Sequence, residues 1–122
     1  LLVTEPINHF DMPGYLLNTS RDGLDAIDAA GTDNLKLQYD FYHMQRMEGA
    51  LADTVERLLP RIGHIQIADT PGRHEPGTGE LDDFRILCAL DDLGYSGFVG
   101  CEYRPAAGTV AGLGWLNAFR KG

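Results

Sequence analysis

The chain of 122 residues has two cysteines, few serines and no apolar run long enough to cross a bilayer. Cys88 and Cys101 show no CxxC spacing, so a zinc or thioredoxin-type motif is unsupported, and two buried free thiols in a reducing cytoplasm are expected. No membrane-spanning helix is expected, because that takes about 20 apolar residues in succession. There is no GxSxG elbow, and the serines offer no Ser-His-Asp set. No GxGxxG follows a strand, and Gly72, Gly77 and Gly79 do not open a helix with phosphate-loop spacing. Positive charge is scarce as well. Ten Lys and Arg stand against 18 Asp and Glu, a net charge of −8, which argues against nucleic acid as a partner. No signal peptide is read. The chain opens Leu-Leu-Val-Thr-Glu, without Met and already within a strand-like run, as expected of a segment cut from something longer.

What is present is a repeated alternation. Apolar content of 43% fits one globular domain spanning residues 1–122. Strand-like segments are read at Leu1–Glu5, Leu35–Asp40, Ile62–Ala68 and Phe98–Glu102. Each is followed by a loop and a helical pattern. Ser20 is placed to cap a helix over Arg21–Ala30, with Leu24 and Ile27 on one face and Gly31 as its stop. After a loop through Tyr42, His43 and Met44, a helix over Ala50–Leu59 carries Leu51, Val55, Leu58 and Leu59, and Pro60 ends it. The long loop Asp69–Gly79 precedes a helix bearing Phe84, Leu87, Cys88 and Leu90. A last helix is expected around Val110, Leu113, Leu116 and Phe119. Four β/α units predict a parallel sheet with right-handed crossovers: half of a (β/α)8 barrel, whose usual length is about 250 residues. An open four-stranded sheet is the rival arrangement. A half barrel leaves two edges and one face uncovered, so pairing with another half or a second copy is expected.

In such sheets, side chains at the carboxyl ends of the strands converge on one face. Glu5, Asp40, Gln66 and Glu102 occupy those ends. A buried carboxylate costs several kcal/mol unless paired or metal-bound, and three together repel one another. A divalent cation resolves that repulsion, and an all-oxygen set of three carboxylates and an amide suits Mg²⁺ or Mn²⁺. Gln66 points to the opposite side from Ile65 and Ile67, toward the lumen of a barrel. His64 shares the Gln66 side and reads as a core histidine. His43 is either a donor to a substrate oxygen or a loop histidine in water. Arg73, in a long Pro- and Gly-rich loop, is either a bidentate clamp for a carboxylate or an exposed turn residue.

At these residues the chain resembles the xylose-isomerase-like TIM-barrel superfamily, and within it the hydroxypyruvate isomerases. The matching stretches are Glu5–Asn8, Asp11–Gly14, Gln38–Gln45, Gly63–Asp69, Pro71–Glu80, Gly100–Tyr103 and Gly112–Trp115, and they cover strands five to eight of such a barrel. The resemblance implies that Glu5, Asp40, Gln66 and Glu102 hold the metal, with Gln66 standing where sugar epimerases carry His. It implies that Glu5 and Glu102 are the proton-transfer pair and that His43 and Arg73 contact a small hydroxy-keto acid. The implied reaction interconverts hydroxypyruvate and 2-hydroxy-3-oxopropanoate through an enediolate. A sugar or keto-acid 3-epimerase, or an inactive half-barrel assembly module, are the alternatives. The acidic charge and few histidines argue against an apurinic endonuclease of the same superfamily.

Overall fold

The computed structural model describes residues 1–120. Its four strands are β1 (Leu2–Thr4), β2 (Leu35–Asp40), β3 (Ile62–Ile67) and β4 (Val99–Cys101). They form one sheet in the order β1-β2-β3-β4, every pair parallel. Between them lie α1 (Ser20–Ala30), α2 (Phe41–Met47), α3 (Leu51–Leu58) and α4 (Asp83–Asp92), with 3-10 turns at Leu59–Arg61 and Ala111–Ala118. Sequential strands as neighbours, joined by helical crossovers, are the arrangement of half a (β/α)8 barrel.

The two faces of the sheet follow from residue parity. Leu37, Tyr39, Ile65 and Ile67 point to the helical side and are completely buried. They form one core with Ile27 of α1, Phe41 and Met44 of α2, Leu51, Val55 and Leu58 of α3, and Leu90 of α4. The intervening residues, Lys36, Gln38, Asp40, His64, Gln66 and Gly100, make the inner face. Asp40 registers beside Gln66, and Gln66 beside Gly100, so the strand ends step together across the sheet.

Several local expectations are corrected. The cap of α1 is Thr19, not Ser20. The Thr19 side chain accepts from the Asp22 backbone N–H at 3.1 Å, and Asp22 accepts in return from the Thr19 N–H at 2.9 Å, a closed capping box. Ser20 instead donates from both its N–H and its hydroxyl to Glu48 Oε1, at 2.9 Å each, tying the start of α1 to the end of α2. Gly31 does end α1, in the left-handed region. Tyr42, His43 and Met44 lie not in a loop but in α2, which begins directly after β2 because the Asp40 side chain accepts from the His43 N–H. Cys88 and Cys101 are both exposed, since Cys88 sits on the outer side of α4 and Cys101 on the thinly covered edge strand. His64 is half-buried on the inner face rather than in the apolar core. The last helical segment is 3-10, with Val110 and Leu113 exposed. Its two glycines, Gly112 and Gly114, disfavour a regular α-helix there.

Candidate metal and substrate site

Four side chains predicted to share one centre reach the same end of the sheet. Glu5 follows β1, Asp40 ends β2, Gln66 lies in β3 and Glu102 follows β4. One oxygen each of Glu5 and Asp40 and a ring nitrogen of His43 lie within 4.8 Å of one another. The Gln66 amide oxygen faces Glu5 Oε1 and Glu102 Oε2 at 3.2 Å each, and Gln38 Nε2 donates to it at 2.6 Å. Three acceptor oxygens at that spacing repel. Either the amide turns to give hydrogen to the carboxylates, or a cation sits among them.

Asp40 shows the same tension. Its Oδ1 accepts from the His43 N–H at 3.0 Å, while Oδ2 is buried with no hydrogen-bond partner among the described residues. An orphaned carboxylate oxygen at a strand end fits an oxygen-ligated cation. Burial first, with the Glu102 carboxylate adding to it, pushes Asp40 from an ordinary 3.8 to about 6; the His43 N–H and Arg73 pull the other way. Burial also pushes Glu5 up, from 4.5 to about 7, reinforced by the Asp40 and Glu102 charges and opposed by a hydrogen bond from Gln38. The donor set is thus negative, crowded and underbonded, and a divalent ion would relieve all three conditions.

Arg73 and His43 border this centre. Arg73 takes a left-handed backbone conformation, φ 57°. Its guanidinium lies 4.9 Å from the centroid of the Tyr42 ring and 3.3 Å from Glu102 Oε2, and its carbonyl accepts from the Arg104 N–H at 2.7 Å. It is therefore held at the rim rather than swinging free. His43 is almost fully buried, and burial together with the nearby Arg73 and Arg46 charges pushes its pKa down to about 4 although Asp11 pulls upward.

Sequence reasoning missed the supporting residues. Asn8 is completely buried, and both its backbone N–H and its side-chain amide reach His43 Nδ1. Asp11 accepts from the Tyr42 hydroxyl and from Arg46, at 2.7 Å each. Asp69 accepts from the backbone N–H groups of Thr70, Gly77, Gly79 and Leu81, which gives the Arg73 loop its shape. Asn8, Asp11 and Asp69 all stand in the stretches that carry the family resemblance, but nothing in those stretches names their partners. Their partners lie up to 35 positions away.

A family model described as xylose isomerase-like TIM barrel matches residues 1–119. The chain belongs to that family. It is 52% identical over 120 residues to the hydroxypyruvate isomerase of Escherichia coli K12, covering 98% of this chain and 46% of that protein. It is equally identical, 52% over 118 residues, to a 2-oxo-tetronate isomerase of Cupriavidus necator, covering 97% of this chain and 45% of that one. Among solved structures it is similar to one titled AP endonuclease, family 2, from Brucella melitensis. There the TM-score is 0.92 at 37% identity, with 98% of this chain and 46% of the other covered. It is also similar to a 3-keto-D-glucoside 4-epimerase from E. coli, with a TM-score of 0.81 at 31% identity, covering 93% and 44%. The chain therefore spans about half the length of the curated relatives it matches, in agreement with half a barrel.

Proposed function

We propose that this chain supplies the carboxyl-terminal half of the active centre of an isomerase that interconverts hydroxypyruvate and 2-hydroxy-3-oxopropanoate. The observation that carries the reading is the convergence of Glu5, Asp40, Gln66 and Glu102, with an unpartnered oxygen on Asp40. These four residues would hold Mg²⁺ or Mn²⁺. When bound, such an ion would stabilise the negative charge that an enediolate places on the substrate oxygens. Glu5 and Glu102 are the proton-transfer pair. One removes the proton from the hydroxymethyl carbon, and the other returns one to the neighbouring carbon. Arg73 binds the substrate carboxylate from the rim, its free donors directed by the Tyr42 ring and Glu102. His43 donates to a substrate oxygen.

Endonuclease activity does not fit this centre. A net charge of −8 and a carboxylate-rich centre repel a phosphate backbone. The equal identity to a 2-oxo-tetronate isomerase does support a second reading, in which a longer keto acid is isomerised at the same residues. A ketose 3-epimerase is the remaining alternative. The half-buried inner face and the two open sheet edges call for a cover, and we infer a complementary half barrel in preference to a second copy, which would bring another set of carboxylates against this one. A reducing cytoplasm is the compartment we infer from two free thiols.

The test is turnover of hydroxypyruvate, 2-oxo-tetronate and ketohexoses by the chain, alone and mixed with a complementary amino-terminal half, with Mg²⁺, Mn²⁺ or EDTA. Hydroxypyruvate turnover that EDTA removes is expected, with Glu5→Gln and Glu102→Gln each inactive yet folded. Near-normal activity in either folded variant would contradict the assignment.

A further inference from the structure

We propose that Asn8 is a positioning residue of this centre. It holds His43 as the tautomer with Nδ1 bare and the proton on Nε2, so that the imidazole offers a donor to substrate and not a lone pair to a metal. The inference rests on the reading of the site given above and names what one of its residues needs.

The orientation of Asn8 is fixed by a partner that can only donate. The Asp11 backbone N–H reaches Asn8 Oδ1 at 2.9 Å, so that atom is the oxygen. The other amide atom is the nitrogen, and it lies 2.8 Å from His43 Nδ1. Its second hydrogen is directed to Asp11 Oδ2, at 3.2 Å. Asn8 also presents its backbone N–H to the same ring nitrogen at 3.3 Å. Two donors on one nitrogen require a lone pair there. A neutral imidazole with a bare Nδ1 carries its hydrogen on Nε2. The frame around it is rigid. Asn8 is completely buried, Asp11 is anchored by Tyr42 and Arg46, and the His43 N–H is committed to Asp40.

The consequence bears on the cluster of Glu5, Asp40 and His43, which by distance alone could be taken as a three-residue metal site. A cation on Nδ1 would displace two N–H donors. A cation on Nε2 would require the proton to move to Nδ1, directly against Asn8. His43 is thus excluded from the ligand set. The cation's donors are the oxygens of Glu5, Asp40, Gln66 and Glu102, while the histidine serves the substrate. Asn8 acts only through His43.

The experiment is a long-range ¹H–¹⁵N spectrum of the histidine rings of this chain at neutral pH, with His43 identified by the signals lost in His43→Gln. A pyridine-type Nδ1 and a pyrrole-type Nε2 are expected, unchanged by added Mg²⁺. In Asn8→Asp a carboxylate faces Nδ1 and should draw the proton to it, reversing the pattern. Wild-type protein with a protonated Nδ1 overturns the proposal, as does loss of the Nε2 proton on adding Mg²⁺, or a folded Asn8→Asp that keeps the wild-type pattern. If Asn8→Asp does not fold, the wild-type spectrum alone decides. In the active assembly Asn8→Asp should lower kcat/KM for hydroxypyruvate by about 10- to 100-fold. The expected tautomer in a protein that does not turn over hydroxypyruvate would refute the proposed function and leave the role of Asn8 standing.

Discussion

Asp40 serves two purposes through its two oxygens, and substitution can separate them. Oδ1 caps α2 by accepting from the His43 N–H, and Oδ2 is the orphan in the site. Asparagine caps a helix about as well as aspartate, so Asp40→Asn should keep α2 and remove one buried negative charge. The expected result is a metal-free chain at least as stable as wild type, with affinity for Mn²⁺ lower by about tenfold or more, both read by calorimetry. Asp40→Ala, which also loses the cap, should cost about 1 kcal/mol of stability in addition. Arg73 allows a similar separation. Lysine keeps the charge but not the planar fork or its stacking on Tyr42, so Arg73→Lys should raise KM for hydroxypyruvate by about tenfold with little loss of fold. At this scale the sequence was most legible where parity governs. The alternation Ile65-Gln66-Ile67 places Gln66 on the inner face without further information. Asn8 was not legible, because its role exists only through contact with a histidine 35 positions away.

Between elements, the loop from Asp69 to Leu81 is the clearest case of a shape fixed by one buried group. Four backbone N–H groups converge on the Asp69 carboxylate, and a Cβ on Gly79 would overlap the Thr70 carbonyl oxygen. Gly79→Ala must therefore push the loop off Asp69. A loss of about 1–3 kcal/mol is expected in chemical denaturation, together with weaker binding of substrate at Arg73. Asp83, the first residue of α4, adds a second buried carboxyl beside Asp69, with Oδ2 accepting from Gly77 and Oδ1 unpartnered. The β2, β3 and α3 spans were readable almost to the residue, since apolar spacing and Pro60 or Gly punctuation agree there. α2 was not. Its residues Phe41 to Met44 are all buried, so it lacks the polar face by which a helix announces itself. The cap of α1 was read one position late, at Ser20, because Ser20 and Thr19 are both good caps, and the capping box with Asp22 decides for Thr19.

For the molecule as a whole, the half-barrel order and the repulsion among the strand-end carboxylates were visible in the sequence, but the second carboxyl pair, Asp69 with Asp83, was not, since it depends on how the loop folds back onto α4. Burial pushes Glu5 and Asp83 up to about 7 and Asp40 to about 6, against ordinary values of 4.5, 3.8 and 3.8. Each of these three folded-state values is raised, so between about pH 4 and pH 7 these carboxyls bind more protons in the native chain than in the unfolded one; His43, pushed down to about 4, opposes them below its ordinary 6.5, but three groups outweigh one and stability falls as pH rises. Below that window the penalty is absent; above it the penalty is complete. A divalent cation would replace the protons at Glu5 and Asp40 but would not reach Asp83, which lies beside Asp69 at the start of α4. Melting temperature in EDTA should therefore decline from pH 5 to pH 7.5, and Mn²⁺ at about a hundredfold over its Kd should restore about 2.7 kcal/mol at the upper end, on the order of 10 °C. The part of the decline that Mn²⁺ leaves should be removed by Asp83→Asn, which carries the hydrogen that a neutral Asp83 would carry. If melting curves with Mn²⁺ and with EDTA superimpose at pH 7.5, the strand-end carboxylates do not share an ion. If Asp83→Asn leaves the pH slope in Mn²⁺ unchanged, the second carboxyl pair is not its source.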